Sequence, residues 1–225
     1  MIRAFVSDMF ETLITQYRSP HYFGADIAHD LGIPRAVFTA AWESTADART
    51  VGAATLESVL EQIMRESGVW SAELLAEITQ KRQKAKEGCF ATLHSGIMPM
   101  LAEIRRRGLR TALISNCFSE EVGAIRQSAL APMFDVILLS FEQGVQKPDP
   151  AIYARCLEAL GIPPSECLYL GDGGSSELEA AERAGMRPVQ AGWYLAERGI
   201  LEEKRLPRYP LAETPADILS LIERL

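Results

Sequence analysis

No stretch of this chain approaches the run of about 20 apolar residues that a membrane span requires. The opening residues, MIRAFVSD, hold an apolar run too short for a signal peptide, so a cytoplasmic protein is expected. Cysteine is scarce. Cys89, Cys117, Cys156 and Cys167 match neither a CxxC metal pattern nor a small disulfide scaffold, and are expected as reduced thiols. No spacing joins His21, His29 and His94 into a metal site. Positive charge is in deficit: 23 Lys and Arg against 30 Asp and Glu leave a net charge of -7. That argues against nucleic acid as a partner, because phosphate backbones select clustered cations. The one tight basic run, Arg105 to Arg107, closes a helical pattern at Gly108, where cations suit the helix C-terminus. There is no internal repeat and no low-complexity tract.

What is present is a globular composition, 48% hydrophobic and 24% charged, in 225 residues. That length suffices for one good-sized core, or a core plus a small inserted domain. Ile2 to Val6 reads as a buried parallel strand ending at Ser7 and Asp8. Further strands are expected at Arg110 to Ser115, Asp135 to Ser140, Cys167 to Gly171 and, last, Arg187 to Ala191. Between them lie helical patterns: Ile97 to Gly108, Ser119 to Leu130, a helix capped by Asp149 with Pro150 first, and Ser175 to Ala184. Thr214-Pro215 opens a terminal helix. Strand alternating with helix predicts an α/β fold with a doubly wound parallel sheet of Rossmann type.

Residues 20 to 88 break that alternation. Leu56, Val59, Leu60, Ile63 and Met64 repeat at helical spacing. Leu74, Leu75 and Ile78 mark a second helix, and Asp26 to Leu31 and Arg35 to Arg49 also look helical. The simplest reading is a helical domain, residues 17–88, inserted into a core made of residues 1–16 and 89–225. Trp42, Thr45 and Arg49 share one face by spacing, and Lys81, Lys84 and Lys86 sit in a charge-rich run expected to be solvated.

Ligands of open parallel sheets bind at the carboxyl ends of the strands. There the sequence places Asp8, Phe10 and Thr12, then Ser115-Asn116, then Lys147-Pro148-Asp149-Pro150, then Gly171-Asp172-Gly173-Gly174 with Glu177. Carboxylates, hydroxyls, a lysine and a Gly-rich turn thus converge on one edge.

In the pieces VSDMFETL, LISN, QKPDP and YLGDGGSSELEAAERAGM, in this order and spacing, the chain resembles the haloacid dehalogenase-like hydrolase superfamily, subfamily I, with a helical cap of the C1 type. The resemblance covers nearly the whole chain. It implies that Asp8 is the nucleophile that forms a covalent intermediate. It implies that Thr12 fixes the loop, that Ser115 hydrogen-bonds the transferring group with Asn116 beside it, and that Lys147 neutralises the developing charge. It further implies Mg²⁺ held by Asp8, the backbone carbonyl of Phe10, Asp172 and Glu177, a hard oxygen set suited to that ion. Phe10 lies against the substrate in this scheme, and stands where the family's phosphatases carry the aspartate that protonates the leaving group. Its 2-haloacid dehalogenases carry tyrosine there, need no magnesium, and have an arginine early in the cap, for which Arg35 and Arg49 are the candidates here. Its phosphonatases also lack that aspartate and use a cap lysine.

Keeping Asp172 and Glu177 favours a metal and a phosphorylated ligand, because a carbon–halogen centre needs neither. The expectation is therefore a Mg²⁺-dependent phosphatase on a small phosphorylated metabolite, either slow or restricted to activated phosphates because of Phe10. A dehalogenase is the runner-up, and a non-catalytic binder of phosphorylated metabolites the reading from another class. A monomer is expected, with a homodimer as the alternative.

Overall fold

A computed structural model describes residues 1–225. Six parallel strands form one sheet: β1 (Ala4–Ser7), β2 (Arg110–Ser115), β3 (Val136–Leu139), β4 (Cys167–Gly171), β5 (Arg187–Ala191) and β6 (Leu211–Ala212). Their spatial order is β3-β2-β1-β4-β5-β6. The chain winds outward from β1 in both directions, so the switch point lies beside β1. Ser7 pairs with Leu113 of β2 on one side and Leu170 of β4 on the other. Asp8, Ser115 and Asp172 therefore leave the sheet along the same edge.

Alternation along each strand divides the core. Phe5, Leu113, Leu168 and Leu170 face one layer, packed with Ile97, Leu101, Ile104, Ile125, Ile218 and Ile222. Ala4, Val6, Ile114, Cys167 and Tyr169 face the other, with Ile152, Tyr153, Cys156 and Leu178. Burial on both faces is why these strands read as unbroken apolar runs. Each large side chain so buried contributes roughly 1.5–3 kcal/mol. Asp149 caps the helix Pro150–Leu160 by accepting from the Ala151 N–H at 2.8 Å, and Gly161 ends it at φ +65°.

Residues 24 to 88 contain only helices: Gly24–Asp30, Arg35–Ser44, Ala46–Thr50, Leu56–Glu66 and Ala72–Gly88. They gather Ile27, Phe38, Leu56, Leu60, Met64 and Ile78 into a separate apolar cluster. Thr55 and Ser71 accept from the Ser58 and Leu74 N–H groups at 3.2 Å and start the last two helices.

Several boundaries differ from the sequence reading. Arg187–Ala191 is not the last strand, since β6 adds two residues at the edge, too few to leave a periodic pattern. The helix expected from Ser175 begins at Glu177, because Ser175 and Ser176 take positive φ in a tight turn. Arg35 to Arg49 is broken at Thr45. The terminal helix starts at Asp217. No helix is long and apolar enough to cross a membrane.

Candidate active site

Asp8 follows β1 and is almost wholly buried. Its N–H donates to the Leu170 carbonyl at 2.8 Å, which fixes the backbone at the strand end. The Thr12 hydroxyl donates to Asp8 Oδ2 at 3.1 Å, so Thr12 aims the carboxylate. Trp193 Nε1 donates to the Thr12 carbonyl at 2.9 Å, and the Tyr194 hydroxyl to that of Leu13 at 3.3 Å. Both aromatics therefore buttress the loop from behind. Glu11 sits at φ +58°, and its carboxylate accepts from the Thr15 hydroxyl and the Gln16 N–H. It also pairs with Arg198 at 3.5 Å. Glu11 is thus turned away from Asp8.

Lys147 links the site together. Its ammonium donates to Asp8 Oδ1 and to Glu177 Oε2, the latter at 2.5 Å. Burial alone would lower the lysine, but the charges of Asp8 and Glu177 outweigh it and hold the ammonium protonated above its ordinary range. Asn116 anchors the lysine loop at two points. Its Oδ1 accepts from the Lys147 N–H at 2.8 Å, and its Nδ2 donates to the Lys147 carbonyl at 2.9 Å. The side-chain amide of Asn116, half-buried beside Ser115, thus holds the lysine loop in register with the end of β2. Ser115 ends β2, fully buried, with its hydroxyl donating to the Asn116 carbonyl at 3.3 Å.

Ligand oxygens of Asp8, Asp172 and Glu177 lie within 4.8 Å of one another. Burial, and then the charge of Asp8, raise Asp172 to about 6. Glu177 is raised for the same two reasons, and Lys147 pulls it back only in part. Asp172 borders a cavity of about 320 Å³ shared with Arg198 and Lys204. A Cβ on Gly171 would lie 2.1 Å from Glu177 Oε1, so only glycine fits beneath that carboxylate.

Tyr169 was not singled out from the sequence. Its hydroxyl donates to Glu177 Oε2 at 2.9 Å and lies 3.4 Å from the Lys147 ammonium. Tyr153 is buried against Tyr169 and donates its hydroxyl to the Glu177 carbonyl at 3.1 Å. The signal was a tyrosine in an aliphatic strand, since a buried hydroxyl needs a partner. Cys117 is no nucleophile, because burial pushes its thiol up to about 12.

At the charge-rich end of helix Ala72–Gly88, Lys81 and Lys84 are exposed as expected, and Lys86 is not. Arg82 and Lys86 are buried against Glu120 and Glu121 of the helix Ser119–Gln127, at 3.2 and 2.6 Å. Lys86 also donates to Gln16 Oε1 at 2.5 Å and lies 5.7 Å from the Phe10 ring centroid. Arg49, also buried, stacks between Trp42 (3.7 Å) and Phe118 (4.5 Å). Arg35 is exposed. Tyr17 and Arg18 face Arg198 and Glu197.

A doubly wound sheet with a lysine joining carboxylates at its switch point is the arrangement of a class of hydrolases. A family model described as haloacid dehalogenase-like hydrolase matches residues 2–185, and the chain belongs to that family. Among curated relatives, it is 38% identical over 90 residues to a phosphoserine phosphatase of Thermus thermophilus, across 40% of this chain and 36% of that one. It is 28% identical to a phosphatase of Mycobacterium tuberculosis, across 72% and 75%. It is also 28% identical to the N-acylneuraminate-9-phosphatase of Rattus norvegicus, across 58% and 53%. The chain thus spans only about a third to a half of the length of the first and third of these. A 2-haloacid dehalogenase structure from Pseudomonas syringae superposes with a TM-score of 0.74 at 21% identity, across 100% and 99% of the two chains. At that identity the likeness shows the fold alone.

Proposed function

We propose that this protein is a Mg²⁺-dependent phosphatase that acts on a small phosphorylated metabolite through an aspartyl intermediate at Asp8. The observation that carries this is the charge of the buried site. Three carboxylates, Asp8, Asp172 and Glu177, face one ammonium, Lys147; fully ionised they would leave -3 + 1, two negative charges, and burial together with that crowding is what raises Asp172 and Glu177. A divalent cation would neutralise that excess, and three hard oxygen donors so close together suit Mg²⁺. Asp8, Asp172, Glu177 and the Phe10 carbonyl are the ligands we assign. When bound, the ion offsets the repulsion between an anionic substrate and Asp8.

The rest follows from the protein's own groups. Thr12 presents Asp8 Oδ to phosphorus. The carboxylate attacks, the leaving oxygen departs with its electron pair, and an aspartyl phosphate remains. Ser115 and Lys147 hold the transferring oxygens. Water then displaces Asp8 and releases phosphate. Tyr169 keeps Glu177 and Lys147 in place. Phe10 cannot donate a proton, and Glu11 is turned away, so poor leaving groups lose roughly 10²–10⁴-fold in rate. Residues 1–16 and 89–225 form the catalytic core and residues 17–88 the cap. Four buried free thiols fit a reducing cytoplasm, where we place the protein as a monomer.

Dehalogenation is the second reading, favoured by Phe10 together with the buried Arg49. One assay separates them. Purified protein is given a panel of phosphate esters with Mg²⁺ or EDTA, and 2-chloropropionate in parallel, with Asp8→Asn as blank. Phosphate release that needs both Mg²⁺ and Asp8 is expected. Chloride release indifferent to EDTA would sink the phosphatase reading. Affinity for phosphorylated metabolites without turnover of anything would leave a binding protein.

A further inference from the structure

Gln190 is a buried polar side chain with no part in the chemistry proposed above. It lies in β5 between Val189 and Ala191, with no exposed surface. A buried amide is costly unless its groups are partnered, and this one fills all four of its places. Its Nε2 donates to the carbonyls of Asp172 and Lys204 at 2.9 and 2.8 Å. Its Oε1 accepts from the Leu206 N–H at 2.9 Å and from Arg205 Nη1 at 3.0 Å. Packing alone would be served by an apolar side chain.

The Asp172 carbonyl belongs to the peptide unit that joins Asp172 to Gly173. That peptide is trans, so it is planar and its C=O and N–H point in opposite directions. Holding the carbonyl therefore aims the Gly173 N–H, which donates to Glu177 Oε1 at 3.2 Å. The following Gly174 N–H donates to Asp172 Oδ1 at 2.9 Å. One amide of β5 thus governs the turn that orients the carboxylates of both Asp172 and Glu177.

The turn has little stiffness of its own. Gly173 sits at φ +101° and is followed by Gly174, and glycine takes positive and negative φ about equally well. Rotating the Asp172–Gly173 peptide needs a change only in ψ of Asp172 and φ of Gly173. It would turn the N–H away from Glu177 and set a carbonyl oxygen toward the carboxylate. Leu206, itself held by Gln190, packs against this peptide: a Cβ on Gly173 would lie 2.8 Å from Leu206 Cδ1.

We propose that Gln190 is a positioning residue for the metal, locking the Asp172–Gly173 peptide so that Asp172 and Glu177 meet one ion together. This rests on the Mg²⁺ site assigned above. Partners that orient metal ligands typically carry roughly 10–100-fold in metal affinity.

The test measures Mg²⁺ binding by calorimetry, without substrate, on wild type, Gln190→Met, Gln190→Asn and Val189→Ala. Gln190→Met keeps the bulk and removes both donors. Gln190→Asn keeps an uncharged amide but withdraws it by one methylene. Val189→Ala loosens the same strand in the opposite layer, that of Leu168 and Leu170, and leaves the clasp in place. Mg²⁺ affinity should fall by about 10-fold or more in both Gln190 variants. It should change by less than about 2-fold in Val189→Ala, even as that variant melts at a lower temperature than wild type. With p-nitrophenyl phosphate, the Mg²⁺ concentration for half-maximal phosphate release should rise with the loss of affinity, while KM for the ester at saturating Mg²⁺ stays within about 2-fold. Equal Mg²⁺ affinity in wild type and both Gln190 variants overturns the inference and leaves the phosphatase reading intact. So does an equal loss in Val189→Ala, which would trace the effect to a loosened strand. Mg²⁺ binding that depends on Gln190, with no phosphate released from any ester, sinks the phosphatase reading and upholds the inference. Absence of Mg²⁺ binding by wild type overturns the metal site and the inference with it. Should Gln190→Met fail to fold, Gln190→Asn against Val189→Ala still decides.

Discussion

The catalytic centre and the cluster beneath the helical segment are both dry and ionic, yet they are charged in opposite senses. Lys147 is one cation among three carboxylates. Glu120 and Glu121 are two carboxylates among three cations. A buried ion pair adds little net stability, but removing one partner from it is expensive. The side chain that each region can least afford to lose is therefore the one whose sign is scarce. The difference also divides the chemistry. The centre at Asp8 is the one whose excess charge a divalent cation would offset, as proposed above.

Asp8→Asn breaks the catalytic side of this comparison most completely. Phosphate release measured with Mg²⁺ should fall by at least about 10⁴-fold with the fold intact, because the variant amide cannot serve as the proposed nucleophile. Next are the scarce charges. Lys147→Met and Glu120→Gln should each destabilise the protein by about 3–5 kcal/mol in urea unfolding, since each strands like charges out of water. Arg49→Met, which removes the surplus sign, should cost less than about 1 kcal/mol by the same measurement. A larger loss there than for Glu120→Gln would show that stacking on Trp42 and Phe118, not charge balance, governs that cluster.

Mg²⁺ should raise the melting temperature of wild type, with about 2.7 kcal/mol of added stability at 100 times Kd. EDTA should reverse the gain. In Tyr169→Phe, which loses the hydroxyl that donates to Glu177, stability should drop by about 1 kcal/mol and the Mg²⁺ concentration for half-maximal shift should rise.

The smallest effect is expected at an exposed pair. Hydrogen bonds from Lys81 and then Tyr22 lower Asp30 from 3.8 to about 2. A lowered carboxyl stabilises the fold above its unfolded value. That contribution is present above pH 3.8 and should fade as the pH falls toward 2. Solvent screening makes it slight, so Asp30→Asn should flatten an acid unfolding curve only marginally.

Much of the fold was readable because the strands are short apolar runs closed by Ser7-Asp8, Ser115-Asn116 and Gly171-Asp172, and the helices carry their own caps. The two-residue β6 left no such pattern, and the turn at Ser175 and Ser176 departs from a helical periodicity that the sequence continues. Asp8, Thr12, Lys147, Asp172 and Glu177 could be picked out, since strand ends at one edge of a parallel sheet must converge. Tyr169, Tyr153 and the clasp of Asn116 on Lys147 could not, because their roles depend on which atoms meet.

By itself, then, the sequence determined the doubly wound sheet, the helical stretch after its first strand, and the chemical types gathered at the strand ends. Those depend on periodicity and on local turn chemistry, which neighbouring residues carry. The tertiary structure alone decided that Lys147 reaches Asp8 across 139 positions, and that Arg82 meets Glu120 across 38. It also decided that Arg49 lies buried with a nitrogen unpaired. Whether a charge is solvated or dry depends on what packs over it, and that is a property of the assembled layers.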